Sequence, residues 1–180
     1  MDLNNKLCYI EMLLLDVDGV LTDGSIVVGS AGEMFKTFNA QDGFGIRMAI
    51  ENGINVGIIT GRQSEIVAFR ARDLGISEVH QGYFNKLEPF ADILLRLELT
   101  PGKIAYIGDD LFDMPLLQRV GFSVAVANAR DEVKQHVDYV TQAKGGHGAV
   151  REVIDMILKA QHKWNDLLKT ITDYDDQRMH

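Results

Sequence analysis

A three-layer, Rossmann-like α/β sandwich with a mainly parallel sheet is the fold this sequence predicts, and three observations predict it. Short continuous apolar blocks recur along the chain, helical apolar patterns separate them, and the blocks end at Gly, Asp or Thr. A strand covered on both faces reads as an unbroken apolar run, as in a parallel sheet between helical layers. Right-handed strand–helix–strand repetition then puts helices on both faces, and ligands bind at the carboxyl ends of the strands.

In chain order, Met12–Leu15 is the first strand. Ser25–Val28 and Met34–Phe38 follow, flanking the turn Gly29–Glu33, and read as a β-hairpin flap over about residues 24–38. Its apolar Ile26, Val28, Phe35 and Phe38 call for a partner surface, so a contact between subunits is expected. Ile46, Ala49 and Ile50 mark a helix stopped at Gly53; Ile54–Ile59 is the next strand. Ile66, Val67, Arg70, Ala71 and Leu74 mark a helix stopped at Gly75. The strand Glu78–His80, a helix through Phe90, Leu94 and Leu97, and the strand Ile104–Ile107 come next. Leu116, Leu117 and Val120 form a helix before Gly121, then Ser123–Val126 and Tyr139–Val140 complete the sheet, with a last helix from about Ala149. One domain over residues 1–165 is expected, with residues 166–180 a polar, frayed tail.

The composition narrows the function. The 180 residues carry 18 Lys+Arg against 26 Asp+Glu, a net charge of −8, which disfavours nucleic-acid and anionic-membrane partners. Cys8 is the only cysteine, which excludes an intrachain disulfide and a thiolate metal cluster. Met1–Leu7 lacks the layout of a signal peptide and no apolar run approaches the length of a membrane span, so a cytoplasmic protein is expected.

The chemistry lies at the strand ends. Asp16 and Asp18 follow the first strand two residues apart, so their carboxylates face one space. Thr60-Gly61-Arg62 ends the second long strand, Lys86 opens the next helix, and Gly108-Asp109-Asp110, with Asp113 beyond, follows Ile107. Carboxylates alone would repel a phosphate by about 4 kcal/mol per pair of charges at 4 Å. A divalent cation held by Asp16 and Asp109 reverses that sign, and oxygen ligands suit Mg²⁺. Lys86 and the Thr60 hydroxyl can stabilise the phosphoryl oxygens. One of the paired carboxylates can attack phosphorus while the other exchanges protons with the leaving oxygen and then with water.

These ordered motifs resemble those of the haloacid-dehalogenase superfamily of phosphatases. The resemblance implies that Asp16 is the nucleophile and Asp18 the acid/base, with Thr60 and Lys86 holding the phosphoryl group. It also implies Mg²⁺ bound by Asp16, the Asp18 backbone carbonyl and Asp109, supported by Asp110 or Asp113. The hairpin, one helix and one strand fill the stretch from Asp16 to Thr60, and one helix and one strand fill Lys86 to Asp109, so no cap domain fits. An uncapped site takes a macromolecular substrate or is closed by a neighbouring subunit.

Phe38-Asn39-Ala40-Gln41-Asp42-Gly43 and Gly145-Gly146-His147-Gly148-Ala149-Val150-Arg151-Glu152, with Gly108-Asp109-Asp110-Leu111 and Ser123–Ala127, resemble the 3-deoxy-D-manno-octulosonate 8-phosphate phosphatase family. That resemblance implies a sugar-acid phosphate substrate, a role in lipopolysaccharide biosynthesis, a homotetramer with sites at subunit junctions, and sugar contacts from Asn39, Ala40, Gln41, Asp42 and Gly43. A charged arginine often stands in that family where this chain has Gln41. Arg62 and Arg70 are the candidates for the substrate carboxylate, which suits an arginine fork. Gly145–Gly148 reads either as a phosphate-cradling nest or as a flexible connector. Other readings are a phosphatase for nine-carbon nonulosonate 9-phosphates, a receiver-like phosphoacceptor module, and a catalytically silent oligomerisation domain.

Overall fold

All four side chains of β1 (Met12–Leu15) are buried, and that fixes the strand's place in the fold. Fully burying a leucine side chain contributes about 1.5–3 kcal/mol, and only the middle of a covered sheet hides every side of a strand. In the computed structural model, which describes residues 2–30 and 32–176, β1 pairs in parallel with β4 (Asn55–Thr60) and β6 (Ile104–Gly108). β5 (Glu78–Gln81) adds beyond β4, while β7 (Phe122–Ala125) and β8 (Tyr139–Val140) add beyond β6. The order β5-β4-β1-β6-β7-β8 is parallel throughout.

The chain runs outward from β1 through α2 (Ala40–Glu51), β4, α3 (Glu65–Leu74) and β5. It returns across the sheet through α4 (Leu87–Arg96) to β6, then continues through α5 (Met114–Leu117), β7, α6 (Asp131–Lys134) and β8. Right-handed crossovers in opposite directions put α2 and α3 on one face and α4 to α6 on the other. Packing agrees: α2 lies against α7 (Ala149–Ala160), which also meets α1 (Leu3–Cys8), while α4 packs on α5. The reversal of direction opens a crevice at the carboxyl ends of β1 and β6, the binding position in such sheets.

Ser64 caps α3 by accepting from Val67 N, and Gly75, at φ 77°, stops it as expected. Gly121 does not take that role; a Cβ there would lie 2.1 Å from the Gly102 carbonyl oxygen, so close backbone approach is its reason. The hairpin is present but shorter than expected: β2 (Val27–Gly29) and β3 (Gly32–Phe35) pair antiparallel, with a register shift at Val27/Val28.

The expected frayed tail is corrected. Residues Trp164–Asp176 form a helix, α8, with Leu167 buried and Lys159 Nζ 4.7 Å from the centre of the Trp164 ring. Trp164, Leu167, Leu168 and Ile171 recur at helical spacing, a pattern masked by the acidic residues between and after them. Residues 177–180 of that tail lie outside the described residues. Among the described residues, no helix is long and apolar enough to cross a membrane.

Candidate active site

Asp16 stands one residue beyond β1, and its N–H still donates to Ile107 of β6 at 3.1 Å, so it emerges between the two strands. The chain then turns sharply: the amides of Val20, Leu21 and Thr22 all converge on the Val17 carbonyl. The Thr22 hydroxyl donates to that same oxygen and accepts from the amides of Gly19 and Gly24. Gly19 has φ 95°, and a Cβ on it would fall 2.1 Å from Asp109 Oδ2. Glycine therefore lets the second acid close in on the first loop.

Oxygens of Asp16, Asp109 and Asp113 all lie within 4.8 Å of one another. Lys86 is buried among them, with Nζ 2.9 Å from Asp16 Oδ1 and 2.6 Å from Asp113 Oδ1. Asp113 is held on every side. Its Oδ1 also accepts from the Tyr106 hydroxyl at 2.5 Å, and its Oδ2 accepts from the amides of Asp109 and Asp110. The Tyr106 hydroxyl in turn accepts from Lys86 at 2.9 Å. Asp113 thus orients Lys86 and the Asp109 loop, while the exposed Asp110 caps the turn that follows by accepting from Leu111 N.

Among the described residues, the Asp109 carboxylate receives no hydrogen bond and no ion pair. Burial, reinforced by Asp113, Asp16 and Asp110, pushes it up to about 8. Burial pushes Asp16 up to about 6 against the pull of Lys86. The ion pairs with Asp16 and Asp113 outweigh burial and raise Lys86. Two carboxylates raised in this way, one of them unpartnered, are the donor set that a hard divalent cation satisfies.

Thr60, at the end of β4, is 3% exposed, and Gly61 and Arg62 follow it to the surface. Arg62 Nε lies 3.7 Å from Asp18 Oδ2. The other expected cation, Arg70, pairs with Asp73 at 2.6 Å and stacks on Phe38, and among the described residues it makes no ion pair with the acid cluster. Gly43 makes room for it: a Cβ there would lie 2.3 Å from an Arg70 guanidinium nitrogen.

In the Asn39–Gly43 strip, where sugar contacts are expected, two side chains also have partners within the chain. Asn39 caps α2 by accepting from Gln41 N and Asp42 N. Asp42 is 1% exposed and accepts from Gly148 N at 3.1 Å and Arg151 N at 2.8 Å, which satisfies two of the amides at the start of α7. Ala40 and Gln41 remain exposed. Gly145–Gly148 is neither an open nest nor a loose connector. A Cβ on Gly145 would lie 1.7 Å from the Gly19 carbonyl oxygen, and Gly146 N donates to Val20 O at 2.9 Å, so this stretch packs directly against the loop that carries the acids.

Sequence reasoning missed three groups. Tyr106 lies wholly buried within β6; a phenol there must find a partner, which is the signal that could have found it. Lys36, the one cation of the hairpin, pairs with Asp18 Oδ1 at 2.5 Å and with Glu33 Oε1 at 2.9 Å. Glu33 in turn accepts from the Ser64 hydroxyl.

Known proteins share this architecture. A family model described as haloacid dehalogenase-like hydrolase matches residues 64–154. The 3-deoxy-D-manno-octulosonate 8-phosphate phosphatase KdsC of Escherichia coli (strain B / BL21-DE3) is 49% identical over 165 residues, covering 92% of this chain and 88% of that protein. This chain belongs to the haloacid dehalogenase-like hydrolases. A second member of that family, the KdsC of Yersinia pestis, is 48% identical over 90% of this chain and 87% of its own. A crystal structure of the phosphatase of the same name from Moraxella catarrhalis, in complex with magnesium ion, phosphate ion and a KDO molecule, superposes with a TM-score of 0.91. It is 40% identical and covers 93% of this chain and 97% of that one. The haloacid dehalogenase-like fold read from the strand ends is thus the observed fold.

Proposed function

We propose that this chain is a Mg²⁺-dependent phosphatase converting 3-deoxy-D-manno-octulosonate 8-phosphate to 3-deoxy-D-manno-octulosonate and phosphate, in lipopolysaccharide biosynthesis. The observation that carries the reading is the convergence of Asp16, Asp109 and Lys86 at the carboxyl ends of β1 and β6. The relatives named above support the substrate.

Asp16 is the nucleophile. Lys86 aims its carboxylate, and with the Thr60 hydroxyl and the Gly61 amide it faces the phosphoryl oxygens. The bond from Asp16 to phosphorus forms as the bond to the sugar oxygen breaks, and Asp18 gives that oxygen its proton. Asp18 then takes a proton from the water that splits the aspartyl-phosphate, releasing phosphate and restoring Asp16. The residues fit a divalent cation: Asp16, Asp109 and the Asp18 backbone carbonyl would hold Mg²⁺, which when bound supplies positive charge facing the phosphoryl group. Arg62, beside Asp18 and exposed, is the cation for the substrate carboxylate.

The same reading places the protein in the cytoplasm as a homotetramer. Val28, Met34 and Phe35 of the hairpin are more than half exposed, as are Phe84 and Phe112, which meet edge to face at 6.1 Å. Phe84 borders Gly61, so an apolar rim beside the site could receive another subunit's hairpin.

The test is phosphate release from the eight-carbon and nine-carbon sugar-acid phosphates, with and without Mg²⁺, alongside solution mass. Preference for the eight-carbon ester, loss of turnover with chelator and in Asp16→Asn, and a tetramer mass are expected. Equal or faster turnover of the nine-carbon ester would replace the substrate, and a monomer mass would remove the assembly.

A further inference from the structure

The hairpin contains one cation, and it points back into its own subunit. Lys36 lies just after β3, with only 1% of its side chain exposed, between Asp18 and Glu33. Glu33 is itself fixed by the Ser64 hydroxyl at the start of α3, immediately after the Thr60–Arg62 loop. The chain Ser64–Glu33–Lys36–Asp18 therefore ties three separate segments together: the α3 cap, the flap and the loop of the first acid pair. Burying an ammonium this thoroughly is unfavourable unless its protons are used, and here two carboxylates use them. Asp18 Oδ1 is taken by Lys36, while Oδ2, among the described residues, meets only the longer, exposed approach of Arg62 at 3.7 Å. One oxygen is anchored and the other is available.

We propose that Lys36 is a positioning residue for Asp18, fixing which of its two oxygens exchanges the proton with the leaving group. This deepens the phosphatase reading and rests on it. With Lys36 in place, Asp18 Oδ2 carries the proton toward the departing sugar oxygen as Asp16 Oδ bonds to phosphorus, and Asp18 is left as a carboxylate held at Oδ1. Without Lys36, Asp18 turns freely about its side-chain bonds, and the proton is delivered from many wrong orientations. Misplacement of about 1 Å in a reacting group costs on the order of a hundredfold, and general acid catalysis as a whole contributes about 10²–10⁴-fold.

The role is separable from a merely structural one by the leaving group. An aliphatic ester such as the eight-carbon sugar phosphate needs its oxygen protonated, whereas 4-nitrophenolate leaves without help. kcat/KM reports the steps up to loss of the leaving group and excludes hydrolysis of the aspartyl-phosphate. For Lys36→Met we expect kcat/KM on the sugar phosphate to fall about thirtyfold or more, and on 4-nitrophenyl phosphate less than about threefold. Lys36→Arg should restore at least part of the sugar-phosphate rate, and Glu33→Gln should show a smaller loss with the same selectivity. Equal losses on both substrates, in Lys36→Met and in Glu33→Gln alike, would overturn the proposal, as would failure of Lys36→Arg to recover any activity. Absence of turnover by the unmutated protein on either ester would instead overturn the phosphatase reading.

Discussion

Lys86 shows how a single side chain can be both structural and chemical. Its ammonium bridges Asp16 and Asp113, and Asp113 is 1% exposed with both oxygens engaged. Removing one partner of a buried pair leaves the other charge uncompensated, at a cost of about 3–5 kcal/mol. Lys86→Met is therefore expected to lower unfolding free energy by about 3 kcal/mol and to abolish turnover, as measured by urea unfolding and phosphate release. Asp16 and Asp109 were legible in the sequence because each sits where an apolar run stops, and Lys86 because it opens the helix that follows the Glu78–His80 strand. Tyr106 and Lys36 were not, because their partners are distant along the chain and nothing local marks the pairing. The structural partners of Asp42 were hidden for a related reason. The residue at the N-cap of α7 is Gly148, which has no side chain to cap with, and the carboxylate that takes over comes from α2.

At the scale of elements, the strands were easy and the short helices were not. Four buried positions in a row define β1, but the six residues of α1 and the four of α6 span too few turns for a periodic pattern to show. The glycine-rich stretch before α7 was open in the sequence because glycine marks tight packing and loose connection alike. The structure decides for packing, since Gly145 abuts the backbone of Gly19. Gly145→Ala would force backbone against backbone and shift the loop bearing Asp16 and Asp18. We expect a melting-temperature drop of several degrees, consistent with overpacking of about 1–3 kcal/mol. We also expect at least tenfold loss of kcat/KM; retention of both would show that the two loops separate without consequence.

At the scale of the whole molecule, the acid cluster sets a pH dependence opposite to that of ordinary salt-bridged carboxylates. Asp109 is raised from 3.8 to about 8 by burial and by Asp113, Asp16 and Asp110. The metal-free folded chain thus keeps a proton that the unfolded chain has already released. Protons bound in the folded state exceed those in the unfolded state between those values, so stability falls as pH rises from about 4 toward 8. Asp16, raised to about 6, adds to the fall over the lower part of that window. A divalent cation replaces the proton, so Mg²⁺ should raise the melting temperature more at pH 8 than at pH 5.5. Thermal unfolding with Mg²⁺ and with chelator at the two pH values checks this; an equal shift at both would remove Asp109 as the linked group.

The turn after β1 has a further consequence. Three amides and a hydroxyl already converge on the Val17 carbonyl, and Gly145 and Gly146 brace the turn from beneath. The backbone that carries Asp16 and Asp18 is thus pinned by the polypeptide's own hydrogen bonds and close glycine contacts. Side chains mounted on so constrained a backbone have little main-chain freedom left to lose, so the cost of ordering them falls on their own rotamers.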